Sequence, residues 1–283
     1  MLLTKEKVNI KEILIYTVII IFLIFNFFPV FWMIISSIKP TGLVFATPPK
    51  WIFKPTLENY QFALGGGSRG WGAGMFQFFL NSFITATIVT ISNLAIGAYA
   101  GYGMARYNTG GSTLPLVFLV GKMLPPVVLL LPFFLLIKNL GLSDSLFVLI
   151  IAYTATSLPF SVWMSWSYFL DLPEEIEEAA TIDGCSKLTL LTKVVIPMAS
   201  PCLIAIGILI FVGCWNEFLF ASTLVGLKAR TLPVVSALFI TDEAILWGPM
   251  TATCVLIMSV PIIITFFAQK YIISGISAGA LKG

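Results

Sequence analysis

The chain has 283 residues, of which 58% are apolar and 10% charged, against about half and about a quarter in a soluble globular domain. That leaves too little polar surface to coat a water-soluble particle, and a mean hydropathy of +1.00 places the chain in a bilayer. A net charge of +3 from 16 basic and 13 acidic residues provides no concentrated basic face and excludes nucleic acid as a partner.

A helix rises about 1.5 Å per residue, so about 20 apolar residues cross about 30 Å of hydrocarbon. In chain order six stretches are long enough: Ile13 to Ile35, Phe76 to Met104, Thr113 to Ile137, Ser145 to Leu170, Pro197 to Thr223 and Met250 to Tyr271. The first is too long for a signal-peptide core and lacks a small-residue cleavage pattern, so it reads as a retained span. Backbone groups in lipid must pair within their own segment, and the period-two alternation of a barrel is missing, so each stretch is predicted helical. The expected fold class is an all-α polytopic membrane protein with six transmembrane helices.

Several residues stand out along these spans. Asn93, Gly97, Gly101 and Ala105 recur every four residues on the second span, a small-residue stripe that lets helices pack closely and is read as structural. Pro125, Pro126 and Pro132 are expected to break or kink the third. Lys122 lies about nine residues into that span, at a depth where an ionisable group faces a cavity or snorkels to an edge. Glu217 falls about 20 residues beyond Pro197, hence about 30 Å up the fifth span, where it reads as a wetted carboxylate. Cys202, Cys214 and Cys254 lie in apolar runs and Cys185 in a polar loop, so all four read as inert thiols, with no disulfide or metal site.

Three connections are long. Ser36 to Met75 is rich in Pro and Gly, Asp171 to Ile196 holds most of the clustered acid, and Leu224 to Pro249 carries Lys228, Arg230, Asp242 and Glu243. Six crossings put both termini and the acidic connection on one side. Basic residues divide almost evenly between the two sides, so charge bias leaves the orientation open, although Lys5, Lys7 and Lys11 lean towards a cytoplasmic amino terminus.

The acidic connection runs Asp171-Leu172-Pro173-Glu174-Glu175-Ile176-Glu177-Glu178-Ala179-Ala180-Thr181-Ile182-Asp183-Gly184 and continues to Val194-Val195-Ile196-Pro197. Pro173 and the carboxylates suit the positive end of a short helix. Ala179 and Ala180 leave a bare face for another surface, and Gly184 suits a left-handed helix end. A second amphipathic helix carrying Leu188, Leu191, Val194 and Val195 on one side is predicted to follow. The bland alternative is a solvated loop with acid at a helix start.

Glu-Ala-Ala, three residues, Gly, nine residues, then Val-x-Ile-Pro resembles the signature loop of the integral-membrane permeases of ATP-binding-cassette importers, with conservative departures at Val194 and Ile196. The Ile182-Asp183-Gly184 ending, Leu158-Pro159-Phe160, Trp215-Asn216-Glu217-Phe218 and the tail Gly279-Ala280-Leu281-Lys282-Gly283 look like permeases of the carbohydrate uptake family, in particular subunits similar to the smaller permease of maltose importers. The resemblance covers roughly Trp51 to Gly283.

It implies a MetI-like ABC permease core over residues 76–283, with a cytoplasmic coupling loop at 171–197 and a cytoplasmic tail at 272–283. Residues 1–75 would be an amino-terminal segment, first span and external loop. In such permeases the loop docks into a separate ATPase, so Glu178, Ala179, Ala180, Asp183, Gly184 and Pro197 are the expected coupling residues. Lys122, Trp215 and Asn216 are expected along the solute pathway. The implied partners are a second homologous permease, two ATP-binding cassette subunits that hold ATP and Mg, membrane lipid, and a periplasmic or lipid-anchored solute-binding protein docking on the Ser36–Met75 and Leu224–Pro249 loops. The expected place is the bacterial inner membrane with both termini cytoplasmic, and no catalytic residue is expected in the chain.

Three rival readings are weaker. Gly66-Gly67-Ser68-Arg69-Gly70 fits Gly-x-Ser-x-Gly, but the chain has no histidine for a Ser-His-Asp triad and no strand leads into the motif. A phosphate loop is also missing, since Gly121-Lys122 is followed by Met123. A self-sufficient secondary transporter would need more ionisable groups at midmembrane than Lys122, and an internal repeat. An importer of another solute, such as a polyol, a glycerophosphodiester or a polyamine, stays open at this point.

Overall fold

The computed structural model describes residues 10–65, 74–142 and 144–280, with side chains described as far as 269. The Gly66–Gly70 motif and the last three residues of the tail therefore lie outside the described residues, as do Lys5 and Lys7. Regular structure among the described residues is helical, apart from one isolated antiparallel bridge between Ile240 and Ile245. The chain separates into two compact units, 1–70 with 238–256, and 71–237 with 257–283.

The first unit starts with α1 (Ile10–Ser37), whose most apolar window has a mean hydropathy of 2.7 and is buried nowhere. A helix apolar all round and uncovered by protein belongs in lipid. Beyond it come a 3-10 turn at Thr41–Leu43 and α2 (Glu58–Gly65). Buried Asn59 ties α2 back to the end of α1 by donating its amide to the carbonyls of Ser37 (2.9 Å) and Lys39 (2.7 Å). Tyr60 and Ser37 share a hydrogen bond through their hydroxyls (2.8 Å). Lys39 is 1% exposed, with its Nζ 4.5 Å from the Trp32 ring centre and 5.4 Å from that of Phe53. Aromatic faces thus take the place of water around this ammonium.

In the second unit α3 (Met75–Tyr107) lies along α6 (Leu146–Asp171). The small-residue stripe forms this contact. A Cβ on Gly101 would come within 2.7 Å of the Trp166 nitrogen, and one on Gly97 would overlap the Ser161 side chain. Polar groups tie the seam, with Ser161 Oγ donating to the Asn93 carbonyl (2.7 Å) and Asn93 Nδ2 to Ser157 Oγ (3.1 Å).

Two predicted spans are not single rods. The third consists of α4 (Thr113–Met123) and α5 (Pro126–Leu140), bent by 89° where Pro125 sits extended before α5. The fifth departs from expectation. A segment made of α8 (Lys187–Leu190), a π-helical turn at Leu191–Val195 and α9 (Ile196–Met198) meets α10 (Ser200–Trp215) at 75°. The helix then stops at Trp215, and the chain resumes as the short α11 (Leu219–Leu224). The predicted Pro197–Thr223 rod runs through Asn216, whose side chain donates back to the Val212 carbonyl, and Glu217, whose carboxylate accepts from the Phe220 N–H ahead. With α1, α3, α6 and the start of α13 (Trp247–Ala280), four helices are long and apolar enough to cross a membrane, and six spans result if each bent pair counts as one.

The Leu224–Pro249 connection is also more folded than a docking loop would require. Asn81 donates to the carbonyls of Lys228 (2.8 Å) and Arg230 (2.9 Å), and Ser82 Oγ accepts from the Leu232 N–H (2.8 Å). Asp144 accepts the N–H groups of Lys228 (3.1 Å) and Ala229 (2.9 Å). Thr231 and the start of α12 (Leu232–Ala237), as far as Val235, are buried, leaving Leu227, Lys228 and the Asp242–Glu243 tip exposed. The apolar Leu232-Pro233-Val234-Val235 run gains more from packing than from water.

Candidate functional site: an anchored acidic helix and a bundle cavity

The acidic connection forms α7 (Glu174–Ile182), opened by Pro173 at its cap with Glu174, Glu175 and Glu177 in its first turn. Its far end closes in a Schellman arrangement. Cys185 N–H donates to the Ala180 carbonyl (3.1 Å), Gly184 N–H to that of Thr181 (3.0 Å), and Gly184 has φ +86°. No atom lies within 4 Å of a Cβ built on Gly184, so the glycine is there for its left-handed backbone, which costs other residues about 1–2 kcal/mol.

The glutamates of α7 divide by direction. Glu174, Glu175 and Glu178 are exposed, whereas Glu177 turns inward. Its Oε2 accepts from the Tyr102 hydroxyl (2.7 Å) and its Oε1 from Arg106 Nε (2.8 Å). Arg106 also donates to the Leu172 carbonyl (2.8 Å) and pairs with Glu174 at 3.4 Å. A buried carboxylate survives only when paired and hydrogen-bonded, and this one is both. Beneath it Ala180 and Cys185 pack on a cluster of Ala98, Tyr102, Phe169, Leu190, Leu191 and Val195.

The outer face presents Glu178, Ala179, Asp183 and an Ile182 that is 86% exposed, beside a cleft of 440 Å³. Ala180 is half-buried, and Pro197 is exposed in the first turn of α9. An uncovered isoleucine thus stands beside a bare alanine on a short polar helix. Sequence reasoning missed Glu177, Arg106 and Tyr102. The helical spacing of Glu177 with Ala180, three positions on, is the available signal.

A second feature is a cavity of 590 Å³ in the bundle, lined by Lys122, Tyr153, Thr156, Ser157, Phe160 and Glu217 among others. Lys122 Nζ lies 5.8 Å from the Phe160 ring centre. Glu217 is half-buried, not a freely wetted carboxylate. It accepts from the Tyr153 hydroxyl (2.6 Å) and from the N–H groups of Phe220 (2.8 Å) and Ala221 (3.2 Å), capping α11.

The two other pathway candidates lie elsewhere. Trp215 is 0% exposed, donates its indole N–H to the Ile257 carbonyl (2.9 Å), and sits between Phe79 (5.5 Å) and Phe211 (6.0 Å). It packs between α10, α3 and α13 and does not line the cavity. Asn216 ends α10, donating to the Val212 carbonyl (2.9 Å) on an exposed surface. In the first unit, Phe45, Glu58, Phe62 and Trp247 border a cleft of 430 Å³.

Bent apolar spans around a cavity, with a helix held at the end of two of them, are the fold of a polytopic α-helical membrane protein. The chain belongs to the family of binding-protein-dependent transport system inner membrane components, whose model matches residues 93–278. It is 37% identical over 285 residues to the trehalose/maltose transport system permease protein MalG of Thermococcus litoralis, covering 99% of each chain. It is 36% identical over 267 residues to the sulfoquinovosyl glycerol transport system permease protein SmoH of Agrobacterium fabrum, covering 93% of this chain and 91% of the relative. The fold matches a chain of a bacterial ABC transporter involved in the import of the acidic polysaccharide alginate, with a TM-score of 0.75 at 20% identity over 96% of this chain and 99% of that one.

Proposed function

We propose that the chain is the transmembrane permease subunit of an ATP-binding-cassette importer that carries a sugar or oligosaccharide across the bacterial inner membrane by alternating access. The carrying observation is the full-length likeness at 37% and 36% identity to two permeases named for trehalose/maltose and sulfoquinovosyl glycerol transport. On this reading α7 is the coupling helix, and it lies in the cytoplasm with both termini. Its outer residues Glu178, Ala179, Asp183 and Gly184 seat in a separate ATPase that binds ATP and Mg. A second permease completes the pathway, to which Lys122 contributes from this side, and a solute-binding protein docks outside on the Phe45–Trp247 cleft and the Asp242–Glu243 tip. ATP shifts the bundle between its two openings only through its different affinity for the two arrangements.

The test is the complex reconstituted in vesicles with its binding protein and a panel of sugars, a polyol, a glycerophosphodiester and a polyamine. ATP hydrolysis should rise with one sugar-class solute and uptake should require ATP. Stimulation by a non-sugar alone removes the cargo assignment, and flux through this polypeptide without an ATPase removes the importer.

A further inference from the structure

We propose that Tyr102, Arg106 and Glu177 form a clasp that makes the cytoplasmic end of α3 and the coupling helix a single rigid body, with Arg106 and Tyr102 acting as positioning residues for coupling. The inference rests on the function proposed above for α7. Three observations converge on it. First, Glu177 is the one buried carboxylate among the described residues, although it stands in a run of glutamates whose other members face water. A short solvated helix needs no buried charge, and burying one is unfavourable unless a partner is fixed opposite it.

Second, both Glu177 oxygens are held, one by Tyr102 at 2.7 Å and the other by Arg106 at 2.8 Å. Arg106 also grips the chain just before α7, at the Leu172 carbonyl (2.8 Å). One guanidinium thus fixes the α6–α7 turn and the body of α7 together, through a planar fork that a lysine cannot reproduce.

Third, both holding residues come from the last turns of α3, the helix whose Gly97 and Gly101 lock it against α6. A push on Ile182 or Glu178 has no soft joint in which to dissipate before it reaches α3. Without the clasp, α7 would rest on apolar contacts such as those of Ala180, and such contacts allow sliding because they carry no direction.

The experiment uses the assembled complex with Arg106→Ala, Arg106→Lys and the milder Tyr102→Phe. Two readouts are taken, solute moved per ATP hydrolysed and amide hydrogen exchange of α7. Exchange reports local opening whatever the protein does. Arg106→Ala should speed α7 exchange about tenfold, since local opening sets the rate, and should lower solute per ATP about tenfold while hydrolysis falls much less. Arg106→Lys should restore little of either, and Tyr102→Phe should give a smaller change in the same direction. Faster exchange with an unchanged solute-to-ATP ratio would overturn the proposal, because the clasp would then serve stability alone. Unchanged exchange in Arg106→Ala would overturn it from the structural side. If transport proves independent of any ATPase, the importer reading fails first, and the exchange data still report whether the clasp holds.

Discussion

Neighbouring residues with similar chemistry are sent to opposite fates by the fold. Glu177 and Glu178 differ by one position, about 100° of helix, and that rotation turns one onto Arg106 and leaves the other outside. Trp215 and Lys122 make a second contrast. Trp215 spends its N–H on the Ile257 carbonyl inside an aromatic stack. Trp215→Phe should therefore lower thermal stability by about 1 kcal/mol, the net worth of one hydrogen bond, and leave the half-saturating solute concentration unchanged. Lys122 lines the cavity, so Lys122→Met should raise that concentration roughly tenfold, equivalent to about 1.4 kcal/mol. Uptake titrations and melting curves separate the two, and a shifted solute affinity for Trp215→Phe would place it on the pathway.

At the scale of elements, the glycine stripe offers a sharp comparison. Gly101 and Gly103 lie on the same helix, yet a Cβ on Gly101 meets the Trp166 backbone nitrogen at 2.7 Å while one on Gly103 finds nothing nearer than 4.0 Å. Gly101→Ala should destabilise the subunit by about 1–3 kcal/mol through overpacking. Gly103→Ala should be neutral or stabilising by up to about 1 kcal/mol through helix propensity. Equal melting temperatures for the two would refute the close α3–α6 approach. The elements also show what the amino-acid order reveals and what it hides. Hydropathy located the spans, and Pro125 and Pro126 announced the 89° bend, because lost backbone donors are a local property. The end of α10 was hidden, since Asn216 bonds back to the Val212 carbonyl and Glu217 accepts from the N–H groups of α11 ahead of it, partners that composition does not identify. The return of 225–237 onto α3 was equally hidden, because it depends on Asn81 and Asp144, which lie far away in the chain.

At the scale of the whole molecule, the family and the all-helical fold are legible in the sequence, because the acidic connection carries its pattern within a few turns of chain. The clasp escaped because it joins residues more than 70 positions apart, and the four glutamates of α7 look alike until the helix is docked. Both units expose wide apolar helix faces, α1 most of all, as expected of a subunit that sits in lipid. The central claim is that α7 faces the cytoplasm and is gripped by a separate ATPase. A photo-crosslinking amino acid at Ile182, which is 86% exposed, tests it most directly in the assembled complex in sealed vesicles. The account predicts an ATPase adduct whose yield changes when ATP is bound. An adduct with the solute-binding protein, or none with any ATPase, would contradict it.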